Sequence, residues 1–279
     1  MSAITSGAAV QASGPFAVPR RSIPRTALFS NAAFSIAIYA VFFLLIGLPL
    51  LVVLLQAVLP DLFNPVARSW APSLAPLARA FGSARVLESI LHSVILGCVV
   101  AVTATALGAG YAVIMNRTDV PFRRFLSVVP WAVFLTPSYL KALAWVLLMS
   151  PGGYLPQLGI LSPDVARSFF GLGGLVFVHT LNLFPLAYFV MAGALWGLGS
   201  EFEDAARIFG AKPLKVWLRI NGPLLAPAIA LCCLALFAEV LSDFGLASTI
   251  ARFSGFGLLT YGIYVAASDY PVDFALAAT

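Results

Sequence analysis

Charged side chains are scarce in this chain: only 10% of its 279 residues are Asp, Glu, Lys or Arg, against about 25% in ordinary soluble domains. Eleven acidic and sixteen basic residues cannot cover the outside of a globule of this length. That excludes a water-soluble enzyme and points the outer surface at lipid or other protein. Histidine and cysteine are rarer still. His92 and His179 stand alone near the ends of apolar runs and read as interfacial packing residues. Cys98, Cys232 and Cys233 lie inside apolar runs, with no CxxC and no Cys/His set of four, so neither a metal site nor redox chemistry is indicated. The net charge of +5 comes without a Lys/Arg run or an aromatic-interleaved basic patch, which excludes nucleic acid as a partner.

Catalytic signatures are missing too. There is no GxSxG, and no HExxH, since Ser93 follows His92 and Thr180 follows His179; Ser254 has no base beside it. Nothing matches GxxxxGK[ST], so the chain has no P-loop with which to cradle a nucleotide phosphate. No cofactor is implied, and any energy used comes from elsewhere.

What is present is apolar sequence in long runs, 61% hydrophobic residues with a mean hydropathy of +0.98. A helix needs about 20 apolar residues to cross a bilayer core. Five full spans are expected at 33–59, 91–115, 125–149, 170–198 and 223–246, giving an all-α, polytopic transmembrane bundle. A sixth span is expected to begin near Tyr270. The ten residues from there to Thr279 cannot cross about 30 Å at 1.5 Å per residue. Either further sequence completes it or the tail rests in the interface.

Lys/Arg asymmetry sets direction. With the N-terminus inside, the inner segments hold Arg20, Arg21, Arg25, Arg117, Arg123, Arg124, Arg207, Lys212, Lys215 and Arg219. The outer ones hold Arg68, Arg79, Arg85, Arg167 and Arg252. Residues 1–32 then read as a cytoplasmic tail with a basic membrane anchor, 33–60 as a first membrane helix, 61–90 as an outer segment and 91–279 as the core. A twin-arginine export signal is the rival for the first segment, but its long apolar run ends at Leu59-Pro60-Asp61 without a small-x-small cleavage site.

Within the spans, Ala104, Ala106, Gly108, Gly110 and Ala112 permit close helix packing. Pro130, Pro137 and Pro185 free carbonyls that kink helices or line a cavity. Ionisable groups at membrane depth are functional candidates. Glu239 and Asp243 fall on one helix face, and Lys141 is within snorkelling reach of water or of those acids. Two readings stand: a polar patch on a substrate path or gate, or a structural ion pair or solvated helix end.

The longest hydrophilic inner stretch is 199–223. Glu201, Glu203 and Asp204 load a helix N-terminus with negative charge, Gly210 caps its end, and Pro213 restarts an amphipathic segment that leads to Pro223. Asp204-Ala205-Ala206, three residues, Gly210, nine residues, then Ile220-Asn221-Gly222-Pro223 resembles the EAA loop of permease subunits of bacterial ATP-binding-cassette (ABC) importers: Glu-Ala-Ala, three residues, Gly, nine residues, Ile-x-Leu-Pro. Asp204 replaces the motif's Glu, with Glu203 beside it, and Gly222 replaces its Leu. The resemblance covers roughly Ser89 to Thr279.

It implies the type I ABC importer permease fold in the bacterial inner membrane, with about six spans, the last incomplete here. It also implies a separate cytoplasmic ATPase, a periplasmic binding protein and a second permease half, identical, different or fused. Glu203, Asp204, Ala205, Ala206 and Gly210 would form the ATPase-docking knob, with Ile220 and Pro223 fixing its exit. Glu239-Val240-Leu241-Ser242-Asp243-Phe244-Gly245 and Leu259-Thr260-Tyr261-Gly262-Ile263-Tyr264 are similar to the ferric-iron group, in which two units are often fused. Polyamine, thiamine, phosphonate and sulfate permeases share much of the pattern. A non-transporting scaffold would explain the spans but not the spaced loop, and an ion-coupled carrier would use Glu239, Asp243 and Lys141 as its ion site.

Overall fold

Proline placement decides where the apolar runs stay straight. In the computed structural model, which describes residues 25–62, 68–199, 201–251, 253, 255–270 and 272–279, there are helices throughout and no strand among the described residues. The basic anchor at Arg20 and Arg21, and Arg252 and Ser254, lie outside the described residues. Two compact units are distinguished, residues 1–54 and 55–279.

The described part of the first unit, residues 25–54, is helical and contributes residues 32–54 to the candidate span Ala32–Val58. A π turn at Phe43–Gly47 interrupts it just ahead of Pro49, with Leu48 N–H bonding Phe43 O five residues back. The wider turn opens the backbone where a proline ring would otherwise strike the preceding carbonyl.

The second unit contains three more helices long and apolar enough to span a bilayer, Ala84–Arg117, Leu172–Leu198 and Trp217–Ser242. Less than half of each is buried within the chain. Exposed Leu91, Val102, Leu231 and Leu234 leave a large apolar surface for lipid or another subunit. Helices 84–117 and 172–198 pack most closely. Ala104, Gly108 and Ala112, each four residues apart, are buried, while Ala106 and Gly110 face outward. A Cβ on Gly108 would sit 2.4 Å from Ala187 Cβ and 2.6 Å from Tyr188 N, so the two backbones approach as only a glycine allows. Thr103 and Thr180 share a 2.7 Å hydroxyl hydrogen bond across the same pair. Helix 217–242 closes the core through Cys232, Leu236 and Val240 against Val100, Ala104 and Leu183.

Three expectations change in detail. The run 125–149 is not one straight helix: Arg123–Leu135 and Ser138–Gln157 meet at 101°. The cause is Pro137, which lacks an N–H and holds Thr136 extended at ψ 127°. The fifth span starts well before Pro223. Helix Pro213–Val216 runs through a π turn, Trp217–Asn221, into Gly222–Ser242, with Gly222 N–H bonding Trp217 O just ahead of Pro223. Near the end, a helix forms at Leu259–Ser268, ahead of the expected sixth span, and a short one at Phe274–Ala278.

Gly108→Ala is expected to lower stability by about 1–3 kcal/mol through overpacking, read as a fall in Tm in detergent. Gly110→Ala, with open space around its Cβ, is expected to hold or raise Tm.

Candidate functional site

Two polar places stand out in the apolar second unit: the 199–223 loop and a cavity where broken helices meet. The loop is built from its charges upward. Helix Glu201–Ile208 has Glu201, Glu203 and Asp204 in its first turn, where the helix dipole favours anions. It ends at Gly210, whose φ of +75° suits a residue without Cβ. Gly210 N–H bonds Arg207 O at 2.9 Å and Ala211 N–H bonds Ala206 O at 3.0 Å, the paired bonds of a Schellman motif. Asp204 and Ala205 are exposed and Ala206 half-buried; Pro223 is exposed and Ile220 half-buried.

Two residues that the motif leaves unspecified form the tip. Ile208 is 83% and Phe209 90% exposed, large apolar side chains at the end of a helix that also exposes Phe202 nearer its start. Glu203 points the other way. It is 7% exposed, its Oε1 accepts from Asn221 Nδ2 at 2.9 Å and lies 3.3 Å from Arg117 Nε, and its Oε2 is 3.9 Å from Arg207. Arg117 Nη2 also donates to Leu195 O and Gly199 O, at the end of helix 172–198.

The cavity, of about 460 Å³, lies between the Pro137 break, helix 172–198 and the end of helix 217–242. Lys141, Ser138, Asn182, Glu239 and Asp243 line it together with Phe134, Leu183 and Phe244. It therefore brings together the three ionisable residues singled out from the sequence. They do not pair: no ion pair joins Lys141 to either acid, and Glu239 is exposed on the wall. Asp243 caps the turn Phe244–Leu246. Its Oδ1 accepts from Leu246 N–H and from Ser138 Oγ, both at 3.1 Å, and its Oδ2 from Asn182 Nδ2 at 3.5 Å. A Cβ on Gly245 would come within 2.5 Å of Ser138 Oγ, so the two chain breaks touch.

Lys141 Nζ donates to Val133 O at 2.8 Å. Val133 is four residues before Pro137, so its carbonyl is the one the proline leaves without a helical donor. The ammonium takes the place of the missing N–H. Tyr111 does the same across helices: its hydroxyl donates to Leu126 O at 2.7 Å, four residues before Pro130.

Neither histidine lines the cavity. His179 is buried in the core with no hydrogen-bond partner for either ring nitrogen among the described residues. His92 stacks on Phe256 at 3.9 Å, with Nδ1 3.2 Å from Gly257 O. No group of three or more metal-ligating side chains occurs among the described residues.

Lys141→Met leaves Val133 O without its donor, and a loss of about 1–3 kcal/mol follows. Thermal unfolding of the purified variant checks this, and Lys141→Arg, which keeps a donor, is expected to lose less.

No family model matches the chain. It is 24% identical over 213 residues to the ferric transport system permease protein of Actinobacillus pleuropneumoniae, covering 73% of this chain and 30% of that protein. The chain thus spans about a third of that relative's length. It is 24% identical over 214 residues, 76% of each chain, to the sulfate transport system permease protein of Synechocystis. Among solved structures, a bacterial ABC transporter involved in import of the acidic polysaccharide alginate has a chain matching 91% of this one and 89% of its own length, at TM-score 0.71 and 15% identity. A bundle broken at Pro137, a Gly-capped loop at the EAA spacing and these likenesses agree: the chain has the all-helical fold of an ABC importer permease and is similar in sequence to permease proteins of ABC transporters.

Proposed function

We propose that this chain forms half of a translocation path for ferric iron, entering from a periplasmic binding protein and driven by a separate ATPase docked on the 199–223 loop. The N-terminus lies on the ATPase side, in the cytoplasm. A second permease half completes the path, and the exposed apolar faces of the spans meet lipid and that half.

The observation that carries this reading is the loop tip. Ile208 and Phe209 are exposed at the end of a short helix fixed by a left-handed glycine after it and a buried carboxylate behind. An apolar pair held out on a rigid support is what a partner groove can bury; a solvated connector has no use for it. Asp204, Ala205, Ala206 and Gly210 shape the knob under that pair.

The cavity at Lys141, Glu239 and Asp243 is read as part of the path. Its volume suits a small ligand or hydrated ion, and Glu239 offers an unpaired carboxylate to a passing cation. Iron is favoured over an oxyanion by the likeness to a ferric permease and by two acids against one lysine on the wall.

The test is reconstitution in lipid with the ATPase and binding protein encoded beside it, supplied with ferric iron, sulfate, molybdate or nothing. Ferric-loaded binding protein is expected to stimulate ATP hydrolysis and iron uptake. Stimulation by an oxyanion alone replaces the substrate and keeps the importer. Phe209→Asp is expected to weaken ATPase binding by about 2 kcal/mol or more, roughly thirtyfold, without moving the Tm of the isolated permease. Unchanged affinity would contradict the docking role.

A further inference from the structure

Helix 201–208 carries three acidic residues that do not share a fate. Glu201 and Asp204 face solvent, while Glu203 is buried against Arg117 and Asn221. A carboxylate taken out of water is destabilising unless its partners stay in place. Presenting Ile208 and Phe209 does not require one, because the Gly210 turn and the acidic first turn already define so short a helix. The buried charge needs another explanation, and its partners supply one.

Arg117 is the last residue of helix 84–117, and its guanidinium also holds carbonyls of Leu195 and Gly199 at the end of helix 172–198. Asn221 is fully buried in the π turn that leads into helix 222–242. Trp196 Nε1 donating to Asn116 Oδ1 at 2.7 Å ties the same two helix ends beside it. One side chain on the loop is therefore joined directly to two spans and, through Arg117, to a third. A packed, charge-assisted joint of this kind moves as a unit or breaks, and it does not stretch.

We propose that Glu203, held by Arg117 and Asn221, is the positioning residue that passes movement of the docked loop to helices 84–117, 172–198 and 217–242. This rests on the coupling role proposed above and assigns Glu203 to transmission, not to the docking face. Arg117 is the hub, since a planar guanidinium can hold a carboxylate and two carbonyls where an ammonium cannot.

The experiment compares Glu203→Gln and Arg117→Lys with wild type in two ways. Amide hydrogen exchange over 201–209 is measured on the purified permease alone, and substrate transported per ATP hydrolysed is measured in proteoliposomes with ATPase and binding protein. In Glu203→Gln, exchange is expected to quicken at least tenfold and transport per ATP to fall at least fivefold, with the ATPase complex still assembling. Arg117→Lys is expected to fall between this variant and wild type. Unchanged exchange in Glu203→Gln overturns the proposal, because the carboxylate then does not hold the loop. So does faster exchange with an unchanged transport ratio, which would leave a structural staple. Loss of the complex together with a lowered Tm in both variants also reduces the cluster to a staple. If wild type binds no ATPase, the importer reading fails and the linkage falls with it, a result seen without either variant.

Discussion

A backbone carbonyl inside an apolar bundle has no water to turn to, and much of this structure follows from how each freed carbonyl is answered. Prolines create most of the cases. At Pro137 and Pro130 the freed carbonyls of Val133 and Leu126 receive Lys141 and Tyr111. Ahead of Pro49 and Pro223 the chain instead widens into π turns. At the end of helix 172–198, where no further turn supplies donors, Arg117 takes up Leu195 O and Gly199 O. The donors used are among the few polar side chains this sequence has, which is why scarce charge is concentrated at breaks and ends.

This placement links the two polar sites. Helix 172–198 carries Asn182 at the cavity and Leu195 at the root of the loop; helix 217–242 carries Asn221 at the root and Glu239 at the cavity. At 1.5 Å per residue, these pairs are roughly 20 and 27 Å apart along their helices. On the proposed reading, displacement of such a continuous helix at the root would be felt at the cavity wall, since no loop intervenes. Asp243, bonded to Ser138, Asn182 and Leu246 N–H, then stands where such a displacement would part the two chain breaks.

The sequence made the spans legible because composition alone sets them: long apolar runs leave few alternatives to helices in lipid. The loop was legible from Gly210 and its spacing. The sharp break at Pro137 was not, since apolar residues continue on both sides and a proline can also sit inside an unbroken helix, as Pro185 does in helix 172–198. Lys141 was singled out for its charge, yet its hydrogen bond could have been foreseen: Val133 is four residues before the proline and Lys141 four after it. Tyr111 on Leu126 joins separate helices and left no local trace. Of the adjacent acids, the motif pointed to Asp204, while burial belongs to Glu203, a difference set by which face of a two-turn helix meets Asn221. Ile208 and Phe209 fall in the motif's unspecified positions, and their signal was the plain contrast of two large apolar residues following Glu201, Glu203, Asp204 and Arg207.

Burial of the 199–223 loop tip by an ATPase can be read directly in membranes. Cysteine placed at Phe209 in a chain whose own three cysteines have been replaced should cross-link to the ATPase subunit in membranes, and the same cysteine at Trp70, in the expected outer segment, should not. Cross-linking at 209 and not at 70 is the predicted result. Its absence at 209 in a chain that still drives uptake would contradict the account.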